Sequence, residues 1–206
     1  MKLKYCHLIG GAPLSGKTTL AEKLATSTGA VQFSTDNIRD WMRQVATESE
    51  YPSLFEDLKL GCEGYYEKFD TAEKVLDQEI RLGRDVEAGV TAFLKCRLPW
   101  RSVIIEGVTI TPEFSLKLEK EFADVKFTFS FLIDDNDERI RRRINERGLW
   151  GPSGTYPEDI KPKEADWVIL YNEFFKNEAE KHVLSITHID ELDEALAQVK
   201  MISEEK

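Results

Sequence analysis

Short apolar runs alternate with longer amphipathic stretches along this chain. Tyr5–Gly10 is an apolar run that stops at a glycine pair, the pattern of a buried strand. Gly16–Thr28 puts Leu20 and Leu24 on one face with Ala21 and Ala25 beside them, which predicts an amphipathic helix ended by Gly29. Ala30–Phe33 reads as a second short strand, and Ser34 or Thr35 caps a helix running from Asp36 to about Thr47. Glu50–Trp100 carries no strand signal, and its latter part, Thr71–Leu98, reads as helical despite Gly83 and Gly89. Ser102–Ile105 is a β-branched buried strand, with a short helix beginning near Pro112. Val125–Ile133 is a further strand, and Asp134–Arg147 a helix with acids at its start and arginines at its end, as the helix dipole favours. Gly148–Pro162 reads as a mobile Gly/Pro-rich loop, Lys163–Lys181 as a helix, Val183–Thr187 as a last strand and Glu191–Ile202 as a closing helix.

Strands that alternate with helices predict an α/β fold with a parallel sheet covered on both faces. Ligands of such sheets gather at the carboxyl ends of the strands, so the residues just after each strand carry the functional information. The length of 206 residues suits one domain. A formal charge of −10 argues against a broad nucleic-acid surface, which needs a basic field. Cys6, Cys62 and Cys96 lack the spacing of a zinc site or disulfide framework, and no apolar stretch is long enough to span a membrane. These features predict a cytoplasmic protein that binds neither nucleic acid nor membrane; they are silent on oligomeric state.

The chemistry begins after the first strand. Gly11-Ala12-Pro13-Leu14-Ser15-Gly16-Lys17-Thr18 matches G-x-x-x-x-G-K-[ST], between a strand and a helix. The glycines let backbone N–H groups turn inward on phosphate oxygens, with Gly11, Ala12, Ser15, Gly16 and Thr19 as the nucleotide-binding backbone. Lys17 reaches the β- and γ-phosphates, and the Thr18 hydroxyl ligates Mg²⁺. The loop lacks the G-x-G-x-x-G of a dinucleotide site.

Asp36 follows the second strand, at the same end of the sheet, where a carboxylate accepts the proton of a substrate hydroxyl or holds Mg²⁺. Arg39 and Arg43 lie beneath it on one helical face and suit an anionic substrate. Glu106 ends the third strand and is placed for the metal shell or the substrate. In the arginine-rich helix, Asp135–Arg139, Asp137–Arg141 and Glu138–Arg142 are i, i+4 pairs of favourable orientation. Arg143 and Arg147 have no such acid and are assigned to nucleotide phosphates or adenine. The loop that follows is placed to close over the site and exclude water, with Trp150 and Tyr156 either as cover or packed against the next helix.

Residues 10–25 (GGAPLSGKTTLAEKLA), 34–43 (STDNIRDWMR) and 103–112 (VIIEGVTITP) resemble the P-loop small-molecule kinases related to adenylate, shikimate and gluconate kinases. Locally they are most similar to 2-phosphoglycerate kinase. The resemblance implies a five-stranded parallel sheet of order 2-3-1-4-5 and a single domain over 1–206, with a helical substrate region about 48–100 and a lid about 147–163. It also implies ATP with Mg²⁺, held by Thr18, Asp36 and Glu106, and a phosphorylated or carboxylated small-molecule acceptor. Lys17, Asp36, Arg143 and Arg147 take the catalytic positions. Arg143-Ile144-Asn145-Glu146-Arg147 resembles the R-I-x-x-R leading into adenylate-kinase lids, whose first Arg lies on adenine and second on phosphate. In one departure, Thr109 stands where those 2-phosphoglycerate kinases carry a His.

Two other classes compete with a kinase: a nucleotide-gated switch without an acceptor, and a toxin-like nucleotide-sugar kinase. No N-K-x-D guanine-specificity motif supports a GTPase switch.

Overall fold

Five strands make one parallel sheet in the computed structural model, which describes residues 2–197. They are β1 (Tyr5–Gly11), β2 (Val31–Ser34), β3 (Ser102–Glu106), β4 (Lys126–Ile133) and β5 (Ile186–His188), in the order β2-β3-β1-β4-β5. The parallel sheet is the one the alternating pattern predicts, and its order is the one the family resemblance implies. The helices are α1 (Lys17–Thr28), α2 (Thr35–Val45), α3 (Glu56–Lys68), α4 (Ala72–Lys95), α5 (Pro112–Glu121), α6 (Asp137–Arg147) and α7 (Ile160–Lys181). Residues 192–197 are helical too; the part of the expected closing helix from 198 to 202 lies outside the described residues.

The strand period of two sorts β1 between two cores. Cys6 and Leu8 join Val103 and Ile105 against Ile38, Val86, Val90 and Phe114 on one face. Ile9, Ile104 and Leu132 meet Leu20, Ala21 and Leu24 of α1, with Ala195, on the other. Each fully buried leucine here contributes about 2 kcal/mol. A third core joins Phe131 and Ile133 to Ile140, Ile144, Val168 and Phe175. Gly89 lets α4 approach α2, because a Cβ there would lie 2.4 Å from the Met42 sulfur.

Several boundaries differ from the sequence pattern; α6 starts at Asp137 rather than Asp134, and α4 ends at Lys95 rather than Leu98. α3 was not separated within Glu50–Trp100; it is bent at Gly61, whose φ is 64°. α7 begins at Ile160, so Pro162 sits in its first turn, where a missing N–H costs no intrahelical bond. β5 starts at Ile186 rather than Val183, which takes a φ of 56° and is exposed. Among the described residues no helix is long and apolar enough to cross a membrane.

Candidate active site

The β1–α1 loop turns through two left-handed residues, Leu14 (φ 65°) and Gly16 (φ 94°). Such a conformation strains leucine, and the guanidinium of Arg143 braces it by donating to the Leu14 carbonyl at 3.1 Å. Gly16 forms the N-cap of α1 without any side-chain cap, so the first N–H groups of the helix stay open toward the loop. Ala12 and Ser15 are fully buried, and the Ser15 hydroxyl has no partner among the described residues.

Lys17 folds back over this loop and donates to the Ala12 carbonyl at 2.6 Å. Burial pulls its ammonium down to about 8, while Glu106 and Asp36 nearby pull it back up. Thr18 donates to Glu106 Oε1 at 3.4 Å. Parallel pairing brings this contact about: Glu106 stands level with Ile9 on β1 and Ser34 on β2, at the carboxyl edge of the sheet. Burial raises the Glu106 carboxyl above the usual carboxylate range, against the pull of Lys17.

The Ser34 hydroxyl caps α2 by accepting from the Asp36 N–H at 3.2 Å. Asp36 is exposed and sits 3.5 Å from Arg39. One open cleft of about 1020 Å³ joins Gly16, Lys17, Thr18 and Thr19 to Asp36, Arg39, Glu106, Arg143 and Arg147. Among the described residues no three His, Cys, Asp or Glu groups converge as a metal site.

Arg43, assigned to the substrate from its helical spacing, lies elsewhere. It donates to the Leu54 carbonyl and to Asp57, both at 2.6 Å, and does not line the cleft. Among the described residues none of the three i, i+4 pairs expected on α6 forms. Arg139 grips Asp134 and Asp190, and Arg141 pairs with Asp166. Asp134 is buried and takes Arg139 through two guanidinium nitrogens, which outweighs an exposed i, i+4 contact. Arg143 has an acid after all, Asp134 at 3.5 Å.

The loop after α6 is tied down to α7. Glu164, fully buried, accepts from the N–H groups of Leu149 and Trp150 and from the Tyr156 hydroxyl at 3.3, 3.0 and 2.6 Å. Lys161 holds the Asn145 carbonyl and Ser153 from the same helix.

A further wall comes from the helical region about 48–100 expected to face the substrate, in which the sequence singled out no individual site residue. Tyr65, Tyr66, Gln78 and Glu79 from α3 and α4 line it together with Asp57, Trp150 and Trp167. Trp150 packs on Tyr65 and Tyr66, with ring centroids 5.3 and 6.1 Å apart. The Tyr65-Tyr66 pair in a polar stretch was the one signal available.

No family model matches the chain. It is 26% identical over 200 residues to a 2-phosphoglycerate kinase of Methanopyrus kandleri, covering 93% of this chain and 58% of that one. It is 30% identical over 143 residues to a 2-phosphoglycerate kinase of Methanocaldococcus jannaschii, covering 68% of this chain and 45% of that one. The chain therefore spans about half the length of the curated relatives it matches. Its fold is similar to a gluconokinase from Sinorhizobium meliloti 1021, at a TM-score of 0.56 and 13% identity, covering 99% and 96% of the two chains. It is also similar to shikimate kinase from Bacteroides thetaiotaomicron, at a TM-score of 0.52 and 18% identity, covering 97% and 98%. The phosphate loop, the sheet order and these likenesses agree: the chain has the P-loop small-molecule kinase fold and is a distant homologue of the 2-phosphoglycerate kinases.

Proposed function

We propose that this protein transfers the γ-phosphoryl group of ATP to a hydroxyl of a small molecule in the cytoplasm. The observation that carries the reading is the single cleft linking Lys17, Thr18 and the two arginines of α6 to Asp36.

The open N–H groups at the start of α1 take the anionic phosphates, and Lys17 leaves the Ala12 carbonyl to join them. Arg143 and Arg147 spread over the other side of the polyphosphate and offset the charge that grows during transfer. At the far end, Asp36 accepts the proton of the acceptor hydroxyl. That oxygen forms its bond to the γ-phosphorus as the bond to the bridging oxygen breaks, and the electron pair leaves with ADP.

The residues fit Mg²⁺. The Thr18 hydroxyl and the Glu106 carboxylate are neighbouring hard oxygens, and magnesium needs only one or two such groups besides phosphate and water. When bound, the ion neutralises phosphate charge. Asp36 is a further candidate for its outer shell.

The relatives' names point to 2-phosphoglycerate as a candidate acceptor, and Arg39 lines the cleft beside Asp36. The test of the reading is ATP consumption with and without candidate acceptors. A kinase consumes ATP quickly only with its acceptor, whereas a nucleotide-gated switch shows no acceptor dependence.

A further inference from the structure

Asp134 follows β4, whose register sets Leu132 against Gly11, where the phosphate loop begins. The strand therefore delivers a carboxylate that is 1% exposed to the edge of that loop. A buried charge of this kind is costly unless its partners are fixed, as they are here. Its own N–H donates to the Asn172 side chain of α7 at 2.8 Å. Oδ1 accepts from the Asn136 N–H at 3.0 Å and from Arg139 at 3.0 and 2.7 Å. Oδ2 accepts from Arg139 at 2.8 Å and also faces Arg143 Nη1 at 3.5 Å.

Arg139 alone satisfies this carboxylate through two nitrogens, so a second arginine is not needed to keep Asp134 buried. Arg139 spends its Nη1 on Asp190, at 2.7 and 3.0 Å, and does not line the cleft. Arg143 does line it. Its side chain is 36% exposed, and one nitrogen, Nη1, meets both the Leu14 carbonyl at 3.1 Å and Asp134. An arginine this exposed otherwise samples many rotamers, and ordering it on binding weakens the affinity for whatever it meets. A fixed acid behind Nη1 and a fixed carbonyl beside it set the guanidinium in advance. Nε and Nη2 are then left to face an anion.

Resting on the kinase reading above, we propose that Asp134 is a positioning residue, which holds the Arg143 guanidinium at the phosphate loop ready for the polyphosphate of ATP. Asp134 itself touches no substrate and acts through Arg143.

The test is titration of ATP with magnesium into the wild-type protein, Arg143→Ala, Asp134→Asn and the double variant, each first shown to unfold cooperatively. Arg143→Ala should weaken binding about tenfold, the scale of a lost charge-assisted hydrogen bond. Asp134→Asn keeps an oxygen for the Asn136 N–H and removes the charge that holds Arg143. It should weaken binding about fivefold, and should add nothing once Arg143 is already alanine. A structural role gives the same loss in both backgrounds, so additive losses overturn the proposal. Wild-type affinity in Asp134→Asn overturns it too. Arg143→Lys decides the matter if the Asp134 variants do not fold. It keeps the charge but loses the planar fork, so its affinity should fall to within about twofold of Arg143→Ala. Affinity near the wild type in Arg143→Lys shows that charge without geometry suffices, and overturns the proposal. Unchanged affinity in Arg143→Ala does the same and leaves the kinase reading standing. Absence of ATP binding by the wild type overturns the kinase reading itself.

Discussion

Lys17 donates its ammonium to the carbonyl of Ala12, five residues back along the same loop, at 2.6 Å. The carbonyl stands where a phosphate oxygen would compete for the ammonium, and burial has lowered the ammonium to about 8. Triphosphate favours the charged form, so binding near and above that pH takes up a proton. ATP affinity should therefore hold below pH 8 and fall about tenfold per unit above it. Calorimetry at pH 7 and pH 9, in buffers of differing ionisation heat, checks both the affinity and the proton uptake. Equal affinity at the two pH values would contradict the assignment of Lys17.

Asp36 tests the acceptor side. Asp36→Asn keeps the shape and the Ser34 cap, which uses the backbone N–H. Turnover should fall about a hundredfold or more, as expected for loss of a general base, while ATP affinity changes little. Steady-state kinetics beside nucleotide titration separates the two. Unchanged kcat would remove Asp36 from the chemistry.

Much of this site was readable from the chain alone, because its signals are local. An apolar run, a glycine-rich loop and a helix in register define β1, the loop and α1. A serine beside Asp36 caps the next helix. The misses came from distance. Arg43 has the spacing of a cleft residue, but α3 supplies Asp57 and the preceding turn supplies the Leu54 carbonyl. Likewise Asp190, just after β5, joins Asp134, which prevails by burial rather than by distance, in displacing the local partner of Arg139. α3 carries Gly61 and Gly64, which weaken any helical pattern, so the aromatic wall stayed hidden.

Glu164 holds the loop after α6 in place. Glu164→Ala leaves the buried Tyr156 hydroxyl and the Trp150 N–H without their acceptor, while the Leu149 N–H keeps the Tyr156 oxygen, at a cost of about 2 kcal/mol. Denaturant unfolding should show that loss, and limited proteolysis should cut first between Gly148 and Asp159. A variant with wild-type stability and cleavage pattern would rule out this anchor.

His7 is buried in β1 between Thr128 and Ser130 and is held neutral, its ring lowered by burial from 6.5 to about 4. The unfolded chain binds this proton more readily, so the contribution is complete above pH 6.5 and is lost as pH falls through 4. The shift corresponds to about 3 kcal/mol across that window. Urea unfolding at pH 7 and pH 4.5 should show a smaller drop for His7→Gln than for the wild type. Identical drops would assign the acid sensitivity to other groups.

The central claim is that the loop from Gly11 to Thr18 grips a triphosphate. Isothermal titration of the folded protein with ATP and magnesium tests it most directly, with Lys17→Ala alongside. The account predicts saturable uptake by the wild type and an affinity at least about tenfold weaker in the variant, once a cooperative unfolding curve has shown that the variant is folded. No uptake at millimolar nucleotide, or equal uptake by both proteins, would contradict it.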